Sequence, residues 1–132
     1  MEEGMYPNDL KYTPEHEWVR VEDDLCVVGI TEFAQEELGE VVFVELPEVG
    51  QVFEAHDEIG TIESVKAVAE VYTPVAGEIV EVNDTLVEAP QVLNDDPHGE
   101  GWLVKVRFSS AADLADLMDA EAYAEYVEGL GD

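Results

Sequence analysis

The chain has 132 residues, 46% of them hydrophobic, and 33 acidic residues against 5 basic ones give it a formal net charge of −28. The length fits one domain, residues 1 to 132, and the apolar content predicts a globular rather than a disordered protein. The charge argues against binding to nucleic acid or to an anionic membrane surface, because both need Lys and Arg.

Residues 1 to 10 show no periodicity, and we expect a loose N-terminus there. Two apolar runs follow, Trp18 to Val21 and Leu25 to Ile30, and the acidic stretch between them predicts a β-hairpin without the usual glycine or asparagine turn. Thr31 is suited to be the N-cap of a short helix that ends at Gly39.

The middle of the chain is predicted as strands separated by turns. Glu40 to Leu46 is rich in Val and Phe, so we expect a largely buried strand. Further strands are expected at residues 51–54, 58–65, 67–72, 78–82 and 102–108. Turns are expected at residues 47–50 and 73–77, and a further excursion between strands is expected at residues 83–90.

A weak internal repeat supports a two-layered fold. Gly39 to Val44 resembles Gly77 to Val82, and Gly60 to Ile62 corresponds to Gly101 to Leu103, at offsets that drift from 38 to 41 residues. Two copies are too few for a solenoid, so the repeat indicates a pseudo-symmetric β-sandwich.

The C-terminal part, residues 110–132, has helical character. Ser110 and Asp113 fit a capping box with Asp in place of Glu. Apolar residues then recur at helical spacing, namely Leu114, Leu117, Met118, Tyr123, Tyr126, Val127 and Leu130. We predict two short helices that pack on the sheet through these faces.

The acidic residues are scattered through every segment rather than gathered in a tail. We interpret them as adaptation to the salty cytoplasm of a halophilic organism, where salt screens the self-repulsion of a dense acidic shell. This interpretation predicts a fold that loosens in dilute buffer and recovers in concentrated KCl. The alternative is a DNA mimic or a partner of a basic protein, which would concentrate its charge on one face.

The expected location is cytoplasmic. The single cysteine, Cys26, excludes an intramolecular disulfide and lies in an apolar run, as a small buried hydrophobe would. The N-terminal residues lack the basic and apolar regions of a secretory signal, and no apolar run approaches the roughly 18 residues that span a membrane.

Lys66 is one of only three lysines, and it lies in the apolar, strand-like stretch Gly60 to Ala67. A lysine amine can be acylated, and the side chain then becomes an anchor for a cofactor. Lys66 lies either at a hairpin tip or on the solvent face of one continuous strand. An unbroken strand from Glu58 to Tyr72 would be much longer than the usual 3–10 residues.

Several stretches match a known family in order and spacing. They include Tyr-Thr-Pro-Glu-His-Glu-Trp-Val at 12–19 and Glu-Ser-Val-Lys-Ala at 63–67, together with residues 28–35, 38–50, 74–83 and 101–106. Through them, residues 12 to 107 resemble the H protein of the glycine cleavage system. The resemblance implies a mainly β, pseudo-symmetric lipoyl/biotinyl-type β-sandwich (a barrel-sandwich hybrid) with short helices and with the lysine at a hairpin tip.

The resemblance also implies the roles of individual residues. Lys66 would be the attachment site of lipoate, and Glu63 would be recognised by a lipoate-attaching enzyme. The recognition motif also includes Ser64, Val65 and Ala67, which would set the local shape of the chain. The neighbours of Lys66 are not the methionines that flank a biotinyl lysine, so biotin is not expected. Glu17 and Glu70 are candidates for acidic groups that shelter the loaded arm.

The resemblance implies a non-catalytic carrier, and we expect the chain to be a monomer when free. The resemblance implies transfer of the aminomethyl group of glycine from glycine decarboxylase, a pyridoxal-phosphate enzyme, to a tetrahydrofolate-dependent aminomethyltransferase. Dihydrolipoyl dehydrogenase then reoxidises the carrier. A lipoyl carrier or relay for another lipoate-dependent system, or an acidic interaction module, is the alternative.

The remaining candidate groups carry no clear signal. His16, His56 and His98 show no spacing typical of a metal site, and the sequence contains no motif of a hydrolase, a P-loop or a dinucleotide-binding enzyme. Phe33 stands where some relatives carry histidine, so a histidine contact to the arm is not expected.

Overall fold

The structure, a computed structural model, describes residues 7–109 and 111–131. The described part of the chain folds into nine strands and four α-helices. The strands are β1 Lys11–Tyr12, β2 Glu17–Glu22, β3 Leu25–Ile30, β4 Val41–Glu45, β5 Val52–Phe53, β6 Glu58–Ser64, β7 Val68–Tyr72, β8 Gly77–Val82 and β9 Val104–Phe108. The helices are α1 Glu32–Leu38, α2 Asp84–Glu88, α3 Gln91–Asp95 and α4 Ala120–Gly131, and a short 3-10 helix spans Ala111–Leu114.

The strands form two antiparallel sheets. One has the order β1-β2-β3-β9-β8-β5, and the other has the order β4-β6-β7. Apolar side chains from both sheets meet in one core, with Val28 and Ile79 from the larger sheet and Val44 and Ile62 from the smaller one. The predicted β-sandwich is therefore confirmed.

The internal repeat corresponds to equivalent strand pairs in the two sheets. β4 and β8 come from the two copies of the Gly-Glu repeat, and they lie in different sheets. β4 pairs with β6, while β8 pairs with β9, and both pairs are antiparallel. Each copy thus supplies one two-stranded unit to its own sheet, as a pseudo-symmetric sandwich requires.

The local predictions for residues 17–39 are confirmed. β2 and β3 pair as a hairpin. Asp23 adopts the left-handed backbone conformation that glycine or asparagine usually adopts in such a turn, with a φ of 58°. The Thr31 side chain accepts a hydrogen bond from Ala34 N at 3.2 Å, and α1 is followed by Gly39. Cys26 is fully buried, which raises the pKa of its thiol to about 12.

One prediction in the middle of the chain is wrong, and two helices there were not predicted. The strand at residues 40–46 is not largely buried, because β4 lies at the edge of a sheet with one uncovered face, and Val42 and Phe43 are about half exposed. The excursion at residues 83–90 contains α2, and α3 follows it at residues 91–95; neither helix was predicted, and they bury Leu86 and Leu93 against the core. Long-range packing stabilises these five-residue helices, which are too short to be stable alone.

The C-terminal helices pack differently from one another. The first is only the four-residue 3-10 helix, whereas α4 buries Tyr123 completely in a second core cluster with Tyr12 and Trp18. The predicted capping box includes Ser110, which lies outside the described residues, as do residues 1–6 of the predicted loose terminus. Within that terminus Leu10 is buried. None of the helices in the described ranges is long and apolar enough to cross a membrane.

Candidate cofactor attachment site

Lys66 lies at the tip of the hairpin that joins β6 to β7. The last paired residues are Glu63 and Val68, and Ser64 N donates to Ala67 O at 2.8 Å to close the turn. The chain therefore reverses at this point and does not continue as one long strand. The Lys66 side chain is exposed at the tip.

A serine hydroxyl shapes this turn in the absence of glycine. Ser64 Oγ accepts hydrogen bonds from Ala67 N at 3.0 Å and from Lys66 N at 3.3 Å, and it donates to Ala67 O at 3.2 Å. Such side-chain bonds to nearby backbone groups are a standard way to stabilise a reversal. The hydroxyl of Ser64 thus fixes the backbone that presents the lysine.

Gly39, at the end of α1, forms the surface on which the lysine side chain lies. A Cβ atom placed on Gly39 would lie 3.4 Å from Lys66 Cε and 4.0 Å from its Nζ. Gly39 also has a φ of 80°, which favours glycine. Since Val65 N donates to Glu40 O at 3.1 Å, the hairpin tip is fastened beside this helix end.

Asn94, on α3, holds the same helix end in place. Its Nδ2 donates to Gly39 O and to Gln35 Oε1, each at 2.8 Å, and its Oδ1 accepts from Val41 N at 2.8 Å. Asn94 therefore ties α1 to the start of β4 beneath the hairpin. The sequence analysis assigned no role to Asn94, because it lies in a stretch for which no helix or strand was predicted, and it interpreted Gly39 only as the residue that ends α1.

The Lys66 ammonium has no carboxylate partner within the described residues. The ion pairs there involve Arg20, Lys105 and Arg107. Glu63, on β6 three residues before Lys66, is exposed. The amine of Lys66 is thus accessible for chemistry, and its modification would leave no described carboxylate without an ion-pair partner.

Glu17 lies at the opposite end of β7 from the hairpin. It is 2% exposed, and its carboxylate accepts from Thr13 Oγ1 at 2.8 Å and from Tyr72 N at 3.1 Å. Burial raises the pKa of Glu17 to about 7, although both hydrogen bonds oppose the shift. The carboxylate bridges β2 of the larger sheet to β7 of the smaller one. Glu70 lies on β7 between these ends and is exposed.

His16 occupies a strained position beside Glu17. Its φ is 72°, its Nδ1 lies 2.7 Å from Tyr123 Oη, and its ring centroid lies 4.6 Å from that of Phe33. Burial lowers the pKa of the imidazole. Tyr123 Oη also lies 2.7 Å from Thr31 Oγ1, so α4 is joined to the start of α1.

The other two histidines lie apart from the lysine. His98 Nε2 accepts from Glu32 N at 3.1 Å, and burial lowers the pKa of this ring. His56 lies in a turn, where its N donates to Thr73 O at 2.6 Å. Across residues 7–109 and 111–131, no group of three or more His, Cys, Asp or Glu side chains is placed to hold a metal ion.

A two-sheet sandwich that holds an accessible lysine at a hairpin tip is the architecture of a carrier domain, which presents an attached group to partner proteins. Comparison with known proteins identifies the family. A family model described as "Glycine cleavage H-protein" matches residues 10–129. The chain belongs to the glycine cleavage H-protein family.

Individual relatives agree over nearly the whole chain. A glycine cleavage system H protein of Bacteroides thetaiotaomicron is 52% identical over 94% of this chain and 98% of the relative. Another, of Rubrobacter xylanophilus, is 57% identical over 92% of this chain and 94% of the relative. The crystal structure of a glycine cleavage system H protein from Mycobacterium marinum superposes with a TM-score of 0.86, with 39% identity, covering 92% of this chain and 98% of that one.

Proposed function

We propose that Lys66 carries lipoate through an amide bond and that the chain is the lipoyl carrier of glycine cleavage. The observation that carries the proposal is the exposed Lys66 at the β6–β7 tip, within Glu-Ser-Val-Lys-Ala, in a chain of this family. The function of a carrier in glycine cleavage agrees with the names of the H-protein relatives.

The residues around Lys66 fit a covalently attached group. Acylation removes the ammonium charge, and the described residues include no carboxylate that this charge must balance. In the attachment step, Lys66 Nζ in its neutral form attacks the carbonyl carbon of an activated lipoyl adenylate. The C–N bond forms, the C–O bond to the phosphate breaks, AMP leaves, and the amine loses a proton to solvent.

When bound, the lipoyl group supplies a disulfide that accepts the aminomethyl group of glycine together with two electrons. The chain supplies a rigid support, because the Ser64 bonds and the contact with Gly39 fix the base of the arm. Tethering raises the effective concentration of the attached group at each partner. The proposed partners are glycine decarboxylase, aminomethyltransferase and dihydrolipoyl dehydrogenase, in addition to the lipoate-attaching enzyme.

The carrier role needs no catalytic residue in this chain, and we propose none. Recognition of Glu63 by the attaching enzyme stays a prediction, supported by its exposed position on β6. Sheltering of the arm by Glu17 and Glu70 also stays a prediction. For Glu17 it requires the carboxylate to give up a hydrogen bond to Thr13 or Tyr72.

A cytoplasmic location and adaptation to high salt belong to the same proposal. Both are supported by composition alone, through the single cysteine and the net charge of −28. Partners of so acidic a surface would present basic residues or bind in concentrated salt.

The test is intact mass after incubation with a lipoate-attaching enzyme, ATP and lipoic acid in concentrated KCl. We expect the wild type to gain the mass of one lipoyl group and Lys66→Ala to gain none. Lys11→Ala is the matched control, because it removes another exposed lysine from the far sheet, and it should be modified like the wild type.

Two outcomes would overturn the proposal. One is a mass gain that persists in Lys66→Ala, which would move the attachment site. The other is a folded wild-type chain that gains no mass.

A glycine decarboxylase exchange assay on the lipoylated chain then tests whether the carrier serves glycine cleavage. The assay should give activity that requires Lys66.

A further inference from the structure

A group of exposed apolar side chains surrounds the hairpin of Lys66. Val42 and Phe43 on β4 are 48% and 46% exposed, and Val65 and Val68 on the hairpin are 68% and 61% exposed. We call these four residues the hairpin patch. Grouped exposure of large apolar side chains in such an acidic protein indicates a surface that another molecule covers.

The strand register makes this patch contiguous. Phe43 pairs with Glu63, and Glu63 pairs with Val68, so these three residues form one row across β4, β6 and β7. Paired residues of neighbouring strands point to the same face of a sheet, and here all three are exposed. Val65 joins the patch from the tip, because its N donates to Glu40 O next to β4.

The charged side chains next to the patch on β4, β6 and β7 are all acidic. The next row across the same face is Glu45, Thr61 and Glu70, in which Thr61 Oγ1 donates to Glu45 Oε1 at 3.3 Å. The three strands contain no Lys or Arg, and the cation nearest in sequence is Lys66 at their tip. Exposed apolar side chains that alternate with carboxylates match a partner whose apolar side chains lie beside Arg or Lys.

We propose that the hairpin patch is the docking surface for the enzyme that acylates Lys66. Apolar side chains of that enzyme would cover Phe43 and Val68, and its basic side chains would face Glu45, Glu63 and Glu70. The inference rests on the proposed function, since it takes Lys66 as the acylated residue. It extends recognition beyond residues 63–67 to β4 and β7.

Geometry selects this partner over those that use the finished arm. The acylating enzyme must bring its activated carbonyl carbon to the Nζ atom of a bare lysine, and so it must approach the hairpin within the length of one side chain. Partners of the loaded carrier meet a group at the end of a longer arm. The surface beside Lys66 is therefore covered most completely during acylation.

The experiment compares two double variants of exposed residues. Phe43→Ser with Val68→Ser removes the two apolar side chains that flank Glu63, and Val52→Ser with Val87→Ser is the control, since these valines are 74% and 50% exposed elsewhere. Initial rates of mass gain with lipoic acid and ATP are measured against the concentration of the unmodified chain. We expect kcat/KM of the patch variant to fall about tenfold, mainly through KM, and the control to stay within about twofold of wild type.

The charge component has its own matched pair. Glu45→Gln with Glu70→Gln should raise KM and weaken its dependence on KCl, because both carboxylates border the patch. Glu121→Gln with Glu128→Gln changes the net charge equally on the exposed side of α4, and it should leave KM near the wild-type value. Equal effects of the two pairs would show a general charge effect and overturn the basic-border part of the inference.

The outcomes separate this inference from the proposed function. Wild-type kinetics in a folded patch variant, with the mass gain still at Lys66, would overturn the docking surface and leave the carrier role intact. No mass gain in the wild type would overturn both.

A defect confined to glycine decarboxylase exchange on prelipoylated chain would assign the patch to another partner. A concentration-dependent dimer that the patch variant abolishes would assign it to a second copy. Either assignment overturns the acylation inference.

Discussion

Two tight reversals in this molecule use a hydroxyl side chain in similar ways but depend on different parts of the fold. At the Lys66 hairpin, Ser64 Oγ accepts from two backbone N–H groups of its own turn. At the β1–β2 connection, Thr13 Oγ1 accepts from Glu17 N at 3.1 Å and donates to the Glu17 carboxylate. The first turn is exposed to solvent, whereas the second is buried at Thr13 and Glu17.

The difference lies in what supports each turn. The Lys66 turn is stabilised almost entirely by residues 64–67, with one backbone bond to Glu40. The β1–β2 turn holds His16 at a φ of 72° and is supported by Tyr123, which lies 107 residues further along the chain. A carrier needs its attachment site accessible and independent of the core, and the local turn meets that need. The buried turn instead joins the two sheets and the C-terminal helix.

The largest expected effect is in the buried turn, at Glu17→Gln. Burial raises the Glu17 pKa from 4.5 to about 7, so between these values the folded state keeps a proton that the unfolded state has lost. This contribution to stability is complete below pH 4.5 and is lost as pH rises through about 7. Relative to Glu17→Gln, the free energy of unfolding of the wild type should fall by about 3 kcal/mol from pH 4 to pH 8.

The measurement is urea denaturation in concentrated KCl at several pH values. Glu70→Gln is the control, because it removes an exposed carboxylate from β7, and it should change the free energy of unfolding by no more than about 0.5 kcal/mol. If the wild type and Glu17→Gln respond to pH in the same way, burial of Glu17 does not contribute to the stability of this turn.

A smaller effect is expected from Tyr123→Phe. The change removes the hydroxyl that bonds the partly buried His16 Nδ1 and the buried Thr31 Oγ1, and both groups lose that partner. We expect a loss of about 2 kcal/mol in the free energy of unfolding. Tyr126→Phe is the matched control, since its exposed hydroxyl donates to Pro14 O at 3.3 Å, and it should cost less than about 0.5 kcal/mol. Similar costs for the two variants would mean that α4 does not support the β1–β2 turn through Tyr123.

The smallest effect on stability is expected from Ser64→Ala at the Lys66 turn. Its partners are exposed and can bond water instead, so the loss should be below about 1 kcal/mol. The rate of acylation of Lys66 should nevertheless fall more than in Ser109→Ala, which removes another exposed hydroxyl that donates to a backbone carbonyl. A loss as large as that of Tyr123→Phe would contradict the view that this turn is local and independent of the core.

Much of the fold was predictable because its signals are local. The β2–β3 hairpin, Thr31 as N-cap and Gly39 as the helix end follow from residues within a few positions of one another. Strand length favoured a turn at Lys66 over one continuous strand, and the proposed role of Lys66 follows from the five-residue motif around it. The helices at residues 84–95 were missed because packing of Leu86 and Leu93 stabilises them, and not local propensity.

By itself, the sequence determined the β-rich architecture and the identity of the family, and it led to the proposal that Lys66 carries a cofactor. Only the tertiary structure decided which side chains meet there: Gly39 beneath Lys66, Asn94 behind Gly39, and Phe43 and Val68 on either side of Glu63. It also decided that Glu17 is buried between two sheets, with its pKa raised to about 7. Desolvation and side-chain contacts depend on segments that are distant in sequence. Periodicity and turn chemistry reflect only neighbouring residues, so they do not predict which distant segments meet.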